Sequence, residues 1–184
     1  IDLGDVQIGL VPVDVTHQVI GYLRKLATGE VLDFVELDMP SSTLSTKAVM
    51  YTVTPEALAG IDIDPLSTPG ALHAAEHAAI GLLPLVASCD RGDIGGVSTA
   101  LQPETGLPTV FVYDGHPGGA GFAARGYEKL ATWLGATADA IDACECEAGC
   151  PSCVQSPKCG NGNSPLDKTA AVTVLRLVVS RLPG

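Results

Sequence analysis

The sequence has few aromatic residues and little positive charge. Aromatics make up 4% of the 184 residues, and ten Lys and Arg residues stand against 21 Asp and Glu, for a formal net charge of −11 at pH 7. An acidic surface repels phosphate backbones at long range. This balance argues against an autonomous nucleic-acid-binding domain, although a local basic patch on a larger partner domain could override it.

Long apolar runs are missing as well. The run Ile80–Ala87 is short and is interrupted by Gly81 and Pro84, whereas a membrane span needs about 20 apolar residues. We therefore expect no membrane partner. The sequence has no basic segment followed by an apolar segment, so it shows no secretory signal, and its first residue is Ile1. We expect a fragment of a longer cytoplasmic protein.

The remaining composition is that of a folded protein, with 46% hydrophobic and 17% charged residues. Residues 1–58 are rich in β-branched residues with partial alternation, which favours a small antiparallel sheet with a turn at Thr28 and Gly29. We predict a β-rich lead-in segment over residues 1–66 and a helical zinc-binding module over residues 67–184, together forming one cooperative domain.

The second half shows clearer helix signals. A helix is predicted from Ala71 to Leu83, ended by Pro84, and residues 88–108 are predicted to be a loop. Thr109–Tyr113 is a short apolar run typical of a buried strand. A glycine-rich turn then leads into a helix that carries Ala123 to Leu134, and an apolar helix from Ala170 to Leu182 closes the chain.

The strongest chemical signal is a cysteine cluster. Five of the six cysteines lie between positions 144 and 159, and Cys150 and Cys153 form a Cys-x2-Cys pair whose thiolates can reach one ion. Cys146 and Cys159 are predicted to complete a structural, tetrahedral Zn²⁺ site, with Cys144 as the alternative ligand. Disulfides are the other interpretation, but cysteines so close in sequence seldom meet disulfide geometry.

These patterns together predict an α+β fold. It has an N-terminal β-rich segment, central helices with a short buried strand, and a four-cysteine zinc knuckle docked by a C-terminal helix.

A second motif lies on the predicted central helix. His73, Glu76 and His77 match the H-x-x-E-H pattern of inverted zinc peptidases, in which two histidines hold zinc and the glutamate is the general base. No third ligand can be identified from the sequence. The alternative is a polar interface in which Glu76 pairs with a cation such as Arg91.

The glycine-rich turn Gly115–Gly121 offers a third candidate. Free amides at a glycine-lined helix start can bind an anion, and a tight strand-to-helix turn explains the same glycines. No G-x-x-x-x-G-K-[ST] or G-x-G-x-x-G motif is present, so neither phosphate-binding loop is predicted in this chain.

Several segments follow one another in an order that resembles a known family: His73–Ala78, Cys89–Gly96, Phe111–Gly121, Gly149–Asn163 and Pro165–Lys168. They resemble the C-terminal MrfA-type zinc-binding domain of superfamily 2 DEAD/DEAH-box DNA helicases, with helicases of mycobacteria as the nearest kin. The resemblance covers residues 71–170.

The resemblance implies a domain appended to two RecA-like motor lobes of an ATP-dependent 3′-5′ DNA helicase that serves DNA repair near the bacterial nucleoid. ATP and Mg²⁺ would bind only in those lobes, so the chain itself is not expected to be an enzyme. The implied partners are the motor lobes and single-stranded DNA, which the domain would help to guide.

Few side chains are suited to contact that strand. We expect Arg91, Arg125, Lys158 and Lys168 to contact phosphates, with Tyr113, Phe122 and Trp133 as weaker candidates for base stacking. Two other functions remain open: a stand-alone zinc metallopeptidase, and a protein-interaction platform that does not touch DNA.

Overall fold

The computed structural model describes residues 1–183, which form an α+β fold, so the predicted fold class is confirmed. The strands are β1 (Val6–His17), β2 (Gly21–Lys25), β3 (Val31–Glu36), β4 (Ser42–Val53), β5 (Ile94–Thr99) and β6 (Thr109–Asp114). The helices are α1 (Pro55–Ala59), α2 (Thr68–Leu82), α3 (Pro84–Ala87), α4 (Phe122–Glu128), α5 (Leu130–Asp142) and α6 (Lys168–Arg181), and a 3-10 turn spans Arg91–Asp93.

Four strands form one antiparallel sheet in the order β1-β4-β6-β5. Its central strands carry apolar and β-branched residues, and β6 is buried along almost its whole length. Because β4 of the lead-in segment pairs directly with β6, the lead-in and the helical module share this sheet.

A β-arm, residues 11–47, extends from the sheet. In this arm, residues Val11–His17 of β1 pair with residues Ser42–Ala48 of β4 and with no other strand. The β2-β3 hairpin, which forms a separate two-stranded sheet, lies between β1 and β4 in the chain. The predicted turn at Thr28 and Gly29 joins the hairpin strands, and Gly29 has a φ of +89°. The hairpin exposes several large apolar side chains: Tyr22, Leu23, Val31, Leu32 and Phe34.

The helices cover the sheet and one another. Helix α2 contacts β5, β6, α5 and α6, and almost every residue from Thr68 to Ile80 is buried. The stretch Thr68–Ala87 is long and apolar enough to cross a membrane, but 67% of its most apolar part is buried inside the protein, as in the core helix of a globular domain. Trp133 of α5 is 1% exposed and donates its indole N–H to the Ala79 carbonyl at 2.9 Å.

The structure corrects two of the predicted elements: strand β5 lies inside the predicted loop 88–108, and the helix after the glycine turn is divided at Lys129 into α4 and α5. Helix α2 ends before Pro84, as predicted, and Pro84 begins the additional short helix α3. Proline lacks an amide hydrogen and its ring clashes with the preceding helical turn, so Pro84 ends α2; the first turn of a helix needs no such hydrogen, so the same residue can begin α3.

The core residue Tyr51 lowers the stability of the fold in a way that can be tested. The Tyr51 hydroxyl is buried and has no hydrogen-bond partner among the described residues, an arrangement that costs about 1–3 kcal/mol. We expect Tyr51→Phe to raise the free energy of unfolding by about 1 kcal/mol, measured by urea denaturation. Tyr22→Phe on the exposed hairpin is the matched control and should change nothing. A clear loss of stability in Tyr51→Phe would contradict this assignment.

Candidate metal centre

Four cysteine sulfurs meet between the end of α5 and the start of α6. The Sγ atoms of Cys144, Cys146, Cys150 and Cys153 all lie within 4.8 Å of one another. The separations are 3.5 Å for Cys144–Cys146, 3.6 Å for Cys144–Cys150, 3.5 Å for Cys146–Cys153 and 3.7 Å for Cys150–Cys153. We call this group the four-sulfur cluster.

This geometry fits a tetrahedral zinc ion. With Zn–S bonds of about 2.3 Å, the sulfurs of a tetrahedral site lie about 3.8 Å apart, close to the separations in the cluster. A disulfide needs sulfurs about 2.05 Å apart, and all six cysteines are free thiols. Four thiolates would surround the ion and leave no position for water, so the site is of the structural kind.

Two short segments place the sulfurs. Helix α5 ends at Asp142, and the Cys144 amide donates to the Ile141 carbonyl at 3.2 Å, which fixes Cys144 to the helix end. The Cys150 and Cys153 backbones form a turn closed by a 3.0 Å hydrogen bond. Gly149, just before this turn, has a φ of +112°, a conformation that side chains rarely adopt.

Helix α6 docks on the cluster through its first residue. The Lys168 ammonium donates to the carbonyl oxygens of Cys144 and Cys146, the latter at 2.6 Å. Lys168, expected from the sequence to contact DNA, instead holds the backbone around the sulfurs. Its positive charge also lies near a site that carries negative charge when the thiols ionise.

The protonation of the thiols differs within the cluster. A hydrogen bond from the Ser152 backbone lowers the pKa of Cys150, whereas burial raises the pKa of Cys153. Zinc binds the thiolate form. Binding therefore requires the cation to displace a proton that the buried Cys153 would otherwise keep at neutral pH.

Cys159 lies outside the four-sulfur cluster. The sequence predicts Cys159 as the fourth ligand and Cys144 only as the alternative. The structure brings Cys144 into the group in its place. The physical reason is the loop 156–163: Asn163 closes it by accepting from the Ser156 amide at 2.7 Å and donating to the Ser156 carbonyl at 3.1 Å. This closure directs Cys159 toward α2, where its Sγ lies 3.4 Å from His73 Nε2.

The H-x-x-E-H motif lies on α2 beside that loop. His73 and His77 are 8% and 4% exposed, and a ring nitrogen of each lies within 4.8 Å of the other and of Cys159 Sγ. Burial lowers the pKa of His77 and raises the pKa of Glu76 to about 7, with hydrogen bonding from Ser98 opposing the rise. Among the described residues Glu76 forms no salt bridge with Arg91, whose guanidinium lies over Gly81.

Glycines in β5 make room for this motif. A Cβ on Gly96 would lie 2.7 Å from Glu76 Oε1, so the carboxylate packs directly against the strand backbone. The motif lines an open cavity of about 690 Å³, together with residues of β5 and of the loop 156–163.

The glycine-rich turn holds an anion of its own. The Asp114 carboxylate accepts hydrogen bonds from the amides of Ala120, Gly121 and Ala123 at 2.6, 2.7 and 2.6 Å. These amides belong to the glycine-lined helix start that the sequence suggested as a site for an external anion. The tight-turn interpretation is therefore correct, and the anion that occupies these amides is a buried side chain of the same chain.

The other candidate DNA contacts are dispersed. Arg125 is exposed and pairs with Glu128 at 2.8 Å, whereas the Lys158 ammonium donates to the carbonyls of Arg91, Gly92 and Ile94. Arg91 and Lys158 are therefore neighbours, whereas Arg125 lies on a different element, helix α4. Two of the candidate stacking residues, Trp133 and Tyr113, are 1% and 6% exposed and belong to the core.

Comparison with known proteins decides the family. A family model described as the MrfA Zn-binding domain matches residues 75–154. An uncharacterized protein of Methanocaldococcus jannaschii is 35% identical over 112 residues, which is 59% of this chain and 100% of that protein. The chain belongs to the MrfA Zn-binding domain family. It is a zinc-binding domain with a four-cysteine cluster, and the predicted family resemblance is confirmed.

Other relatives of this MrfA Zn-binding domain are much longer proteins. The uncharacterized ATP-dependent helicase YprA of Bacillus subtilis is 31% identical over 130 residues, 71% of this chain and 17% of the helicase. The ATP-dependent helicase hrq1 of Schizosaccharomyces pombe is 25% identical over 182 residues, 91% of this chain and 17% of the helicase. The chain therefore spans about one sixth of the length of these helicases.

Solved structures share the fold. The DUF1998 helicase MrfA bound to DNA matches 94% of this chain with a TM-score of 0.62 and 22% identity, and the match covers 26% of that structure's chain. The same helicase bound to DNA and AMPPNP matches with a TM-score of 0.56. The MrfA Zn-binding domain described here thus has the fold of a helicase-associated domain.

Proposed function

We propose that this MrfA Zn-binding domain is the accessory zinc domain of an ATP-dependent 3′-5′ DNA helicase whose motor lobes lie outside the described chain. The four-sulfur cluster carries the proposal, because its residues fall within the matched range 75–154. The helicase relatives and the shared fold support the same role.

In this role the zinc ion is structural, and the chain's own residues contact the partners. When bound, zinc supplies a rigid link among Cys144, Cys146, Cys150 and Cys153, the residues that would hold it. Lys168 then holds the backbone of this knuckle against α6. The domain would present a fixed surface to the motor lobes and guide the single strand that leaves them during DNA repair, in the cytoplasm of a bacterium.

Two surfaces suit the two proposed partners. The β-arm exposes apolar side chains such as Tyr22, Leu23 and Phe34, which a larger protein would cover, so we assign the motor lobes to this side. Arg91, Arg125 and Lys158 are the exposed members of the candidate DNA set. The Lys158 ammonium already donates to backbone carbonyls, so we assign phosphate contacts to Arg91 and Arg125. The helicase relatives favour this proposal over a stand-alone metallopeptidase.

Reversing both charges tests the DNA contact. We expect Arg91→Glu with Arg125→Glu, in the full-length helicase, to weaken single-stranded DNA binding and to reduce the slope of log affinity against log salt by about 0.7 per lost phosphate contact. Fluorescence anisotropy across a salt series measures both quantities. The control is Arg176→Glu with Arg181→Glu on α6, which likewise breaks surface ion pairs and should leave the slope unchanged.

Two results would count against the proposal. An unchanged salt slope in the double variant would remove the phosphate contacts. Photoreactive single-stranded DNA that crosslinks to the motor lobes and never to residues 1–184 would favour a protein-interaction platform instead.

A further inference from the structure

The four-sulfur cluster leaves three metal-ligating side chains unused. His73, His77 and Cys159 come from a helix and from a loop far apart in sequence, yet their donor atoms lie within 4.8 Å of one another. The His73 Nε2 to Cys159 Sγ distance is 3.4 Å, and the two imidazole centroids are 4.3 Å apart. In a tetrahedral zinc site, bonds of about 2.0–2.3 Å place nitrogen and sulfur ligands about 3.5 Å apart.

The imidazole rings are oriented as metal ligands are. His73 Nδ1 lies 2.8 Å from the Pro165 carbonyl, and His77 Nδ1 lies 2.8 Å from the Val154 carbonyl. A carbonyl can only accept, so each Nδ1 carries the proton and each Nε2 keeps its lone pair. Metal-bound histidines usually show this arrangement, with the second ring nitrogen donating to a backbone carbonyl.

The third donor is prepared in the same way. Cys159 Sγ accepts the backbone N–H of Asn163 at 3.3 Å, and such amide hydrogen bonds partly neutralise a metal-bound thiolate. Asn163 also closes the loop that carries Cys159. Two buried imidazoles therefore lie beside a thiol whose position is fixed, and the free Nε2 of His73 faces that thiol.

We propose that His73, His77 and Cys159 form a second metal site, separate from the four-sulfur cluster, that binds a divalent transition-metal ion such as Zn²⁺. Nitrogen and sulfur donors of this kind suit zinc. The three ligands line the cavity of about 690 Å³, so a fourth coordination position opens toward it and takes water or a small anionic ligand. The ion would fasten the loop 156–163 to α2.

The metal-free alternative is a single hydrogen bond. The Cys159 thiol can donate to His73 Nε2 at the observed 3.4 Å, but this contact leaves His77 Nε2 without a role. A metal ion uses all three donors. The two interpretations differ in the number of metal ions that the chain binds.

Metal content separates them. We expect the purified 184-residue chain to contain two zinc ions by elemental analysis, and the variants Cys159→Ser and His77→Gln to contain one each. Cys89→Ser and His116→Gln, which alter a cysteine and a histidine outside both groups, are the matched controls and should retain two. One zinc ion in the wild type, with the same content in Cys159→Ser, would overturn the proposal.

A measurement on the wild type guards against variants that fail to fold. A mild chelator should remove the three-ligand ion before the four-thiolate ion, and cobalt(II) added afterwards should restore one equivalent with the charge-transfer absorbance of a single cobalt–thiolate bond. Cobalt that binds only with the absorbance of four thiolates would overturn the second site. That result would leave the four-sulfur cluster, and the function proposed from it, intact.

Discussion

Cys153→Ser is expected to remove the zinc ion of the four-sulfur cluster and to lower the melting temperature of the chain by about 10 °C or more. Apparent zinc affinities of finger peptides correspond to about 10–16 kcal/mol, and about 1 kcal/mol shifts the melting temperature of a chain of this size by about 2–4 °C. Cys153 is the most buried of the four ligands, at 6% exposure. Serine in its place leaves three thiolates and a hydroxyl that binds zinc poorly.

Elemental analysis and thermal unfolding measure this effect together. Cys89→Ser is the control, since Cys89 is a free thiol outside both metal-ligating groups, and it should retain both the metal and the melting temperature. In the wild type, a chelator strong enough to strip the cluster should melt residues 140–165, observed as loss of amide-exchange protection. A wild type whose unfolding is unchanged after verified loss of this ion would refute the structural role.

Asp114→Ala is expected to destabilise the domain by about 2–4 kcal/mol, because hydrogen bonds to a charged group contribute about 1.5–3 kcal/mol and a buried donor left unpaired costs about 1–3 kcal/mol. Asp114 is 0% exposed and holds three backbone amides at the start of α4. Alanine would leave the buried Ala123 amide unpaired and would remove the acceptor of the more exposed Ala120 and Gly121 amides. It would also remove the negative charge from a helix N-terminus, where the helix dipole favours an anion.

Two further variants define the cause. Asp114→Asn keeps the shape but replaces one acceptor oxygen with a donor, so its loss of stability should be smaller than that of alanine. Asp93→Asn, which alters a carboxylate paired with His116 near the surface, should have little effect. Urea denaturation gives the free energies, and an Asp114→Ala variant as stable as the wild type would show that the turn does not depend on this carboxylate.

Elements with a strong local sequence signal can be predicted without the structure. The central helix, the strand Thr109–Tyr113 and the terminal helix appear close to their predicted bounds. Strand β5 was not predicted because Gly95 and Gly96 give it little β-propensity. Its pairing with β6 and its close packing against Tyr113 and Glu76 are tertiary effects, which no local window contains.

The metal ligands show the same division. The Cys150 and Cys153 pair follows from spacing alone, whereas the choice between Cys144 and Cys159 depends on where α5 ends and how Asn163 closes its loop. Cys144 is held by a hydrogen bond to Ile141, three residues away, and this is a local signal that helix length could have revealed. The meeting of Cys159 with His73 could not be read from either segment by itself.

The β-arm has a geometric consequence for how far this domain can extend. Side chains alternate between faces along each strand, and the arm strands continue directly into the core residues Ala48–Val53. Inserting two residues into each arm strand would advance the hairpin by about 7 Å and keep every core side chain on its own face. Inserting one residue would turn the hairpin over relative to the core, so only even insertions lengthen the arm without changing which face it presents.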